Sequence, residues 1–178
     1  MTLLERVEYY SKRVIPVALA EGAGDTLARE IASQARLESG NFNSDVFKAN
    51  NNLFGMKVPS IRKSPYILGA GSAAPSNEGL TPYAKYKNVE DSVHDLFHWL
   101  RYNHANLGEL NTPEKYASFL KSKSFYGPDA ATYAGFIKNF MTDIKYLVFK
   151  NPKTSILIAL AGLTLIGTGI YIYTKKVI

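Results

Sequence analysis

The sequence predicts a mostly α domain with one irregular lobe, followed by a single apolar helix long enough to cross a membrane. Three observations predict it. Helical periodicity with recognisable caps recurs along most of residues 1–150. Residues 58–82 break that period. A charge-free run of 19 residues, 156–174, lies near the end of the chain. With 178 residues there is enough chain for one domain with a core plus an appendage. The reading divides it into a domain over 1–150 and a hinge plus transmembrane helix over 151–178.

The elements follow in order. Thr2-x-x-Glu5 is a capping-box pattern that opens a first helix to about Ala20, bent or interrupted near Pro16. Glu21-Gly22-Ala23-Gly24 reads as a turn. Asp25 or Thr26 then caps a second helix, with Leu27, Ile31 and Ala35 on one face, which ends at Ser39-Gly40. Residues 41–57 read as a short helix and a loop. Residues 58–82 contain Pro59, Pro65 and Pro75 and four small residues at 70–73, which fits a long loop with a short hairpin; such a loop inside a compact domain usually serves function or moves. Asn88 caps a strong helix with Val89, Val93, Leu96, Phe97 and Leu100 on one face. Thr112-Pro113-Glu114 starts another by the cap-plus-proline rule. Gly127-Pro128-Asp129 starts the last helix of the domain, with Tyr133, Phe136, Ile137, Phe140 and Ile144 inside, and Asn151-Pro152 forms a hinge.

Charge and composition exclude several classes. The net charge is +6. Residues 1–150 carry 18 Lys and Arg against 15 acids, and the last 28 residues carry three Lys and no acid. The domain is thus mildly basic, which suits weak attraction to an anionic polymer. No basic stripe or recognition motif supports nucleic-acid binding. With no cysteine there is no disulfide framework and no thiolate metal site. The start is interrupted by charges and does not read as a secretory signal. The run 156–174 approaches the roughly 20 residues a bilayer-crossing helix needs. Lys150 and Lys153 precede it, Lys175 and Lys176 follow it, and Tyr171 and Tyr173 lie where interfacial aromatics belong. A lipid bilayer is therefore an expected partner. Lysines at both ends leave the orientation open.

The stretch from Gln34 to Lys57, QARLESGNFNSDVFKANNNLFGMK, concentrates the chemistry. Glu38 stands at a helix end, followed at once by Ser39-Gly40. A carboxyl there, with core on one side and a cleft on the other, has its pKa raised and can act as a general acid. By itself a glutamate at a helix C-terminus is more often a solvated side chain, and the helix dipole does not favour its charge there. Its company changes the odds. Gly40 allows a sharp turn, Asn50-Asn51-Asn52 offers amides suited to sugar N-acetyl and hydroxyl groups, Phe54 offers an apolar face, and Gly55 permits close approach.

The two motifs, L-E-S-G and N-N-L-F-G, in this order and spacing, resemble the glucosaminidase domain of peptidoglycan hydrolases (glycoside hydrolase family 73, lysozyme-like superfamily). The resemblance covers roughly residues 14–146. It extends to Tyr83-Ala84-Lys85-Tyr86-Lys87-Asn88-Val89-Glu90-Asp91-Ser92-Val93 and to Tyr133-Ala134-Gly135-Phe136-Ile137. It implies a lysozyme-like α domain that hydrolyses the β-1,4 linkage after N-acetylglucosamine, with Glu38 as the catalytic acid and no cofactor. Asn51, Asn52, Phe54, Tyr86 and Tyr133 are the implied substrate-binding residues, although Tyr86 is equally readable as a core aromatic. Glycoside hydrolysis usually needs a second carboxylate. The lobe at 58–82 holds one acid, Glu78, as candidate partner, and Asp45 is a weaker one. The alternative is the substrate's own N-acetyl oxygen.

His94 and His98 stand at i, i+4, with His104 beyond, but the H-E-x-x-H pattern is missing, so imidazoles without a metal are the expectation. The expected partner is the peptidoglycan glycan strand, not nucleic acid. Anchor and domain together suit a hydrolase in the internal membrane of a phage virion, beside virion membrane or capsid proteins, with a tail-anchored cellular enzyme as rival. Two other readings remain: a lytic transglycosylase or muramidase of the same superfamily, and a non-catalytic structural membrane protein of a virion that binds glycan.

Overall fold

The computed structural model describes residues 1–71 and 82–144. The hinge at 151–152, the apolar run 156–174 and Glu78 lie outside them. Six helices and one two-stranded sheet are described: α1 (Leu3–Ala20), α2 (Asp25–Glu38), α3 (Asp45–Asn50), β1 (Ile67–Ala70), β2 (Ala84–Tyr86), α4 (Val89–Tyr102), α5 (Pro113–Ser122) and α6 (Ala130–Ile144). Among the described residues no helix is long and apolar enough to cross a membrane.

Local chemistry accounts for most helix starts. The Thr2–Glu5 capping box forms in both directions. The Asn88 side chain accepts from the backbone N–H of Asp91, and Thr112 from that of Lys115 ahead of Pro113. Two expectations are corrected. Of the two alternatives at Pro16 the break does not occur: the first helix runs on to Ala20 with the proline inside it. The second is capped by neither Asp25 nor Thr26: Gly24 is its N-cap, without a side-chain cap, and Asp25 lies in the first turn, where its charge suits the helix dipole.

The core gathers around α2, which packs on α1, α5 and α6, while α1 also packs on α4 and α5 on α6. Nine of the fourteen α2 residues are buried, from Leu27 to Arg36. Leu27, Ile31, Leu96, Phe97, Leu100, Leu120 and Ile137 are almost fully enclosed, and each such side chain stabilises the fold by about 1.5–3 kcal/mol. Phe136, expected inside α6, is instead 43% exposed, because it faces an open cleft and not a packing partner.

The irregular lobe is held by polar groups. β1 and β2 pair antiparallel, Ile67 opposite Tyr86 and Ala70 opposite Ala84, with a bulge between Ile67 and Gly69. A Cβ on Gly71 would sit 2.2 Å from Asn50 Oδ1, so any other residue there would require the Asn50 side chain to move. The asparagines expected to meet sugar are spent on the backbone. Asn52, 1% exposed, donates to the carbonyls of Met56 (2.8 Å) and Ala84 (2.9 Å) and accepts from the N–H groups of Phe54 (3.3 Å) and Met56 (3.0 Å). Asn51, in the left-handed conformation that ends α3, donates to the carbonyls of Tyr86 and Lys87. Tyr86 is a core residue, fully buried, with its hydroxyl donating to Asp95 at 2.8 Å. Asp95 also pairs with Arg62 at 2.5 Å, which ties the lobe to α4. His98 meets the same Arg62, whereas His94 pairs with Glu21 and stacks on Tyr66.

Asn52 therefore organises the turn between α3 and β2. Asn52→Ala takes away the acceptor of the Phe54 and Met56 N–H groups and the amide donor to the Ala84 carbonyl, while the Met56 carbonyl keeps the Ala84 N–H, and each buried group left unmet costs about 1–3 kcal/mol less whatever the site can recover by relaxing. Asn52→Ala should lose about 2–4 kcal/mol in urea unfolding. Asn52→Asp keeps the acceptors but loses both donors, so it should also be destabilised.

Candidate active site

The site begins at the C-terminal end of α2. Glu38 is its last residue and Ser39 its C-cap. Beyond the cap, Gly40, Asn41 and Phe42 all take left-handed backbone angles, with φ of 58°, 58° and 57°. This run throws the chain sharply off the helix axis. It is held by the Ser39 hydroxyl, which accepts from the Phe42 N–H at 2.9 Å, and by Arg36, which donates to Asn41 Oδ1 at 2.9 Å. Phe42 is stacked on Tyr10, with ring centres 4.8 Å apart, and meets Phe47 edge-on. Arg36 also reaches Asp143 on α6 at 2.5 Å and lies over the Phe140 ring.

Glu38 is half-buried and lines an open cleft of about 620 Å³. Among the described residues it is the one carboxylate lining that cleft. The Tyr133 hydroxyl on α6 donates to Glu38 Oε1 at 2.5 Å. The Tyr133 ring is stacked flat on Tyr126, centres 3.7 Å apart, and the Tyr126 hydroxyl is fixed to the Ala117 carbonyl. Burial pushes the Glu38 carboxyl up, and the Tyr133 hydrogen bond opposes this without overcoming it. The acid thus holds its proton to higher pH than an ordinary carboxylate does, and Oε2 is left clear of the Tyr133 hydrogen bond. A half-desolvated carboxylic acid facing an aromatic-walled cleft is equipped to protonate a leaving oxygen.

Of the expected site residues, the structure brings Glu38 and Tyr133 together and sets Phe54 in the cleft wall. Asn52 also touches the cleft, but its amide is committed to the backbone. Tyr86 is enclosed elsewhere. Asp45 is exposed in the first turn of α3, while its neighbours Ser44 and Val46 line the cleft. Tyr83, Phe125, Tyr126 and the half-exposed Phe136 line it as well, and these were missed as site residues. Among the described residues no group of three His, Asp or Glu side chains could hold a metal ion.

A buried polar stripe beneath the acid was also missed. Glu30, Gln34 and Glu38 recur every four residues and so lie on one side of α2. Gln34 accepts from the buried Tyr116 hydroxyl at 2.5 Å. Glu30 is fully buried, and neither of its oxygens has a hydrogen-bond partner. Burial, with help from the nearby Glu114 charge, pushes its carboxyl up to about 8. The recurrence of polar residues at i, i+4 and i+8 was the available signal.

The comparisons with known proteins agree with this geometry. The family model described as glucosaminidase, mannosyl-glycoprotein endo-beta-N-acetylglucosaminidase, matches residues 18–147. The chain belongs to the glucosaminidase family. It is therefore a glycoside hydrolase of the endo-β-N-acetylglucosaminidase type. Two solved structures share the glucosaminidase fold. One is a chain of a type VI secretion system effector-immunity complex from Pseudomonas protegens, 19% identical, covering 82% of this chain and 95% of that one, with a TM-score of 0.62. The other is the catalytic domain of the autolysin Auto from Listeria monocytogenes, 22% identical, covering 83% of this chain and 87% of that one, with a TM-score of 0.55. No curated protein matches the chain.

The Glu30 carboxyl makes stability depend on pH with a definite sign. Between the ordinary carboxylate range and about 8, the unfolded chain releases this proton while the folded protein keeps it. Folding then takes up a proton, and the Glu30 contribution to stability falls as pH rises through that window. Glu30→Gln cannot ionise. Its stability relative to wild type should rise by about 2–5 kcal/mol from pH 5 to pH 8, read by urea unfolding at both. A difference that does not change with pH would show that Glu30 gains no extra hold on its proton when the chain folds.

Proposed function

We propose that this glucosaminidase cleaves the β-1,4 linkage after N-acetylglucosamine in peptidoglycan, and does so from a membrane to which residues 156–174 anchor it. The observation that carries the catalytic part is the Glu38 carboxyl, half-buried, pushed up by that burial and fixed by the Tyr133 hydroxyl at 2.5 Å on the wall of the cleft. Glu38 gives its proton to the glycosidic oxygen as the bond to the anomeric carbon breaks. Tyr133, still donating to Oε1, then stabilises the carboxylate that remains. Tyr83, Phe125 and Tyr126 provide apolar surface for sugar faces, and Phe54, 1% exposed, backs the wall behind them.

The second group is Glu78 or the substrate's acetamido oxygen. In the second case that oxygen attacks the anomeric carbon, and water opens the resulting ring with Glu38 as base. The supporting point is that among the described residues no second carboxylate lines the cleft. Because Glu38 must be protonated to act, activity should fall as pH rises through its raised value. The membrane part rests on the charge-free run and its flanking lysines. It suits a hydrolase that opens the cell wall from a lipid envelope, such as the internal membrane of a virion.

Glu38→Gln should lower the rate of peptidoglycan digestion by about 10²- to 10⁴-fold with little change in unfolding midpoint. Mass spectrometry of the products should show reducing N-acetylglucosamine ends, and anhydro ends would replace this reading with a transglycosylase. Glu78→Gln separates the two partners: a loss as deep as that of Glu38→Gln makes it the carboxylate, and a small one leaves the acetamido group.

The anchor has its own test. Leu163→Arg, at mid-run, should cost roughly 2.5–3.5 kcal/mol of insertion and shift full-length protein from pelleted membranes towards the supernatant. Wild-type protein that stays in the supernatant without detergent would end the membrane reading.

A further inference from the structure

The Tyr133 hydroxyl can serve the acid only while its proton points at Glu38. A hydroxyl has one proton to give and two lone pairs, so its direction depends on the other polar groups around it. Gln34, one turn below Glu38 on α2, is such a group, and its side chain is fully buried. The Tyr116 hydroxyl on α5, equally enclosed, donates to Gln34 Oε1 at 2.5 Å. An amide held by its oxygen turns its NH2 the other way. Nε2 is buried there and has no hydrogen-bond partner of ordinary geometry. The oxygen of Tyr133 is the acceptor beside it. Burial and the Glu38 charge hold the Tyr133 hydroxyl well above its ordinary value, and Gln34 pulls it the other way, as a donor does and an acceptor does not. The reverse orientation of the amide would set two oxygens, Gln34 Oε1 and Glu38 Oε1, against one Tyr133 proton, and would leave the Tyr116 proton without its acceptor.

We propose that Gln34, oriented by Tyr116, is a positioning residue for the acid: its amide N–H faces the Tyr133 oxygen and so commits the Tyr133 proton to Glu38. The polar chain then runs in one direction, from Tyr116 to Gln34 to Tyr133 to Glu38, and each link donates towards the acid. The inference rests on the reading of Glu38 as the acid and adds what directs the group beside it. The benefit comes once the proton has left Glu38. Donors lined up head to tail polarise one another, so the remaining carboxylate is held more strongly than by an isolated Tyr133. The other titratable groups around the chain are Glu30 one turn below Gln34, Glu114 on α5, Tyr126 stacked on Tyr133, and Lys57 in the cleft lining. The side chains that α1 buries are uncharged.

The test follows the Glu38 carboxyl itself, by carbon NMR of the full chain with isotope-labelled glutamate carboxyls, kept in mild detergent. Its signal is assigned by its loss in Glu38→Gln and is read separately from that of Glu30. The same chains are scored for the initial rate of peptidoglycan digestion against pH. Gln34→Met keeps the length of the side chain and removes the amide. The Glu38 carboxylate then loses stabilisation, so its titration and the alkaline limb of the rate should move together to higher pH, while the rate below that limb falls by about 3- to 10-fold. Damage to the fold alone would lower the rate without carrying the limb upward. Tyr116→Phe frees the amide to turn its oxygen towards Tyr133 and should move both readouts in the same sense. In a Tyr133→Phe chain neither change should move the Glu38 titration further, because both act through that hydroxyl. If Gln34→Met folds poorly with the Tyr116 hydroxyl stranded, the double change Gln34→Met and Tyr116→Phe removes both partners and is read in its place. A Glu38 titration that stays put in a folded chain lacking the amide, or one that shifts as far without the Tyr133 hydroxyl as with it, overturns the inference alone. Wild-type digestion that does not follow the Glu38 titration overturns the reading of Glu38 as the acid, and the inference falls with it.

Discussion

The enclosure of α2 is the constraint on which the rest depends. A helix packed on α1, α5 and α6 cannot tilt or slide without disturbing three interfaces. Its last residue is therefore delivered to one place with the accuracy of a close-packed core. That place is a border, with core behind and solvent in front, and the partial desolvation there pushes the Glu38 carboxyl up. The same enclosure explains the oddity beneath it. Glu30 is carried into the interior on the same face as Gln34 and Glu38, and it remains there as a neutral acid without a hydrogen-bond partner. Tyr116 and Tyr133, from α5 and α6, meet this polar stripe at Gln34 and Glu38. The helices that close the core are thus the ones that furnish the site.

The lobe follows a different economy. It has little apolar mass of its own, and its shape comes from a few polar side chains that satisfy backbone groups or one another. Asn52 holds the turn after α3 to β2, and Asp95 gathers Arg62 and Tyr86 onto α4. Phe54 and Gly55 are thereby presented to the cleft on a frame fixed from behind.

What was legible in the sequence was what local chemistry decides. Thr2 with Glu5, Asn88 and Thr112 before Pro113 all announce helix starts through side chains acting on amides three residues away. Glu38 and Tyr133 were singled out through motifs that resemble a family, and the structure places them in contact. What was hidden depends on distant chain. The amides of Asn51 and Asn52 resemble sugar ligands until their carbonyl partners, all but Met56 more than thirty residues on, are seen. Tyr86 and Tyr133 both donate to a carboxylate, and they differ only in whether that carboxylate is sealed in the core or open to a cleft. Helix periodicity suggested an interior Phe136, but a cleft lies where a packing partner was expected. The stripe of Glu30 and Gln34 escaped because polar residues on a helix are ordinarily taken for its wet side.

The three left-handed residues after Ser39 carry a consequence for how this sequence can drift. Glycine adopts that geometry freely, asparagine with little penalty, but a phenylalanine there is strained by about 1–2 kcal/mol. Phe42 tolerates it because Tyr10 and Phe47 grip its ring. Substitutions at position 10, on a helix that supplies nothing to the cleft lining, are thus coupled to the turn that leads away from the acid. A change that shrinks the aromatic grip removes what offsets the strain, and the turn is then free to relax towards ordinary backbone. Lineages that keep an aromatic at 42 should keep its partners at 10 and 47, and lineages that lose one should replace Phe42 with a residue at ease in that conformation, such as glycine or asparagine.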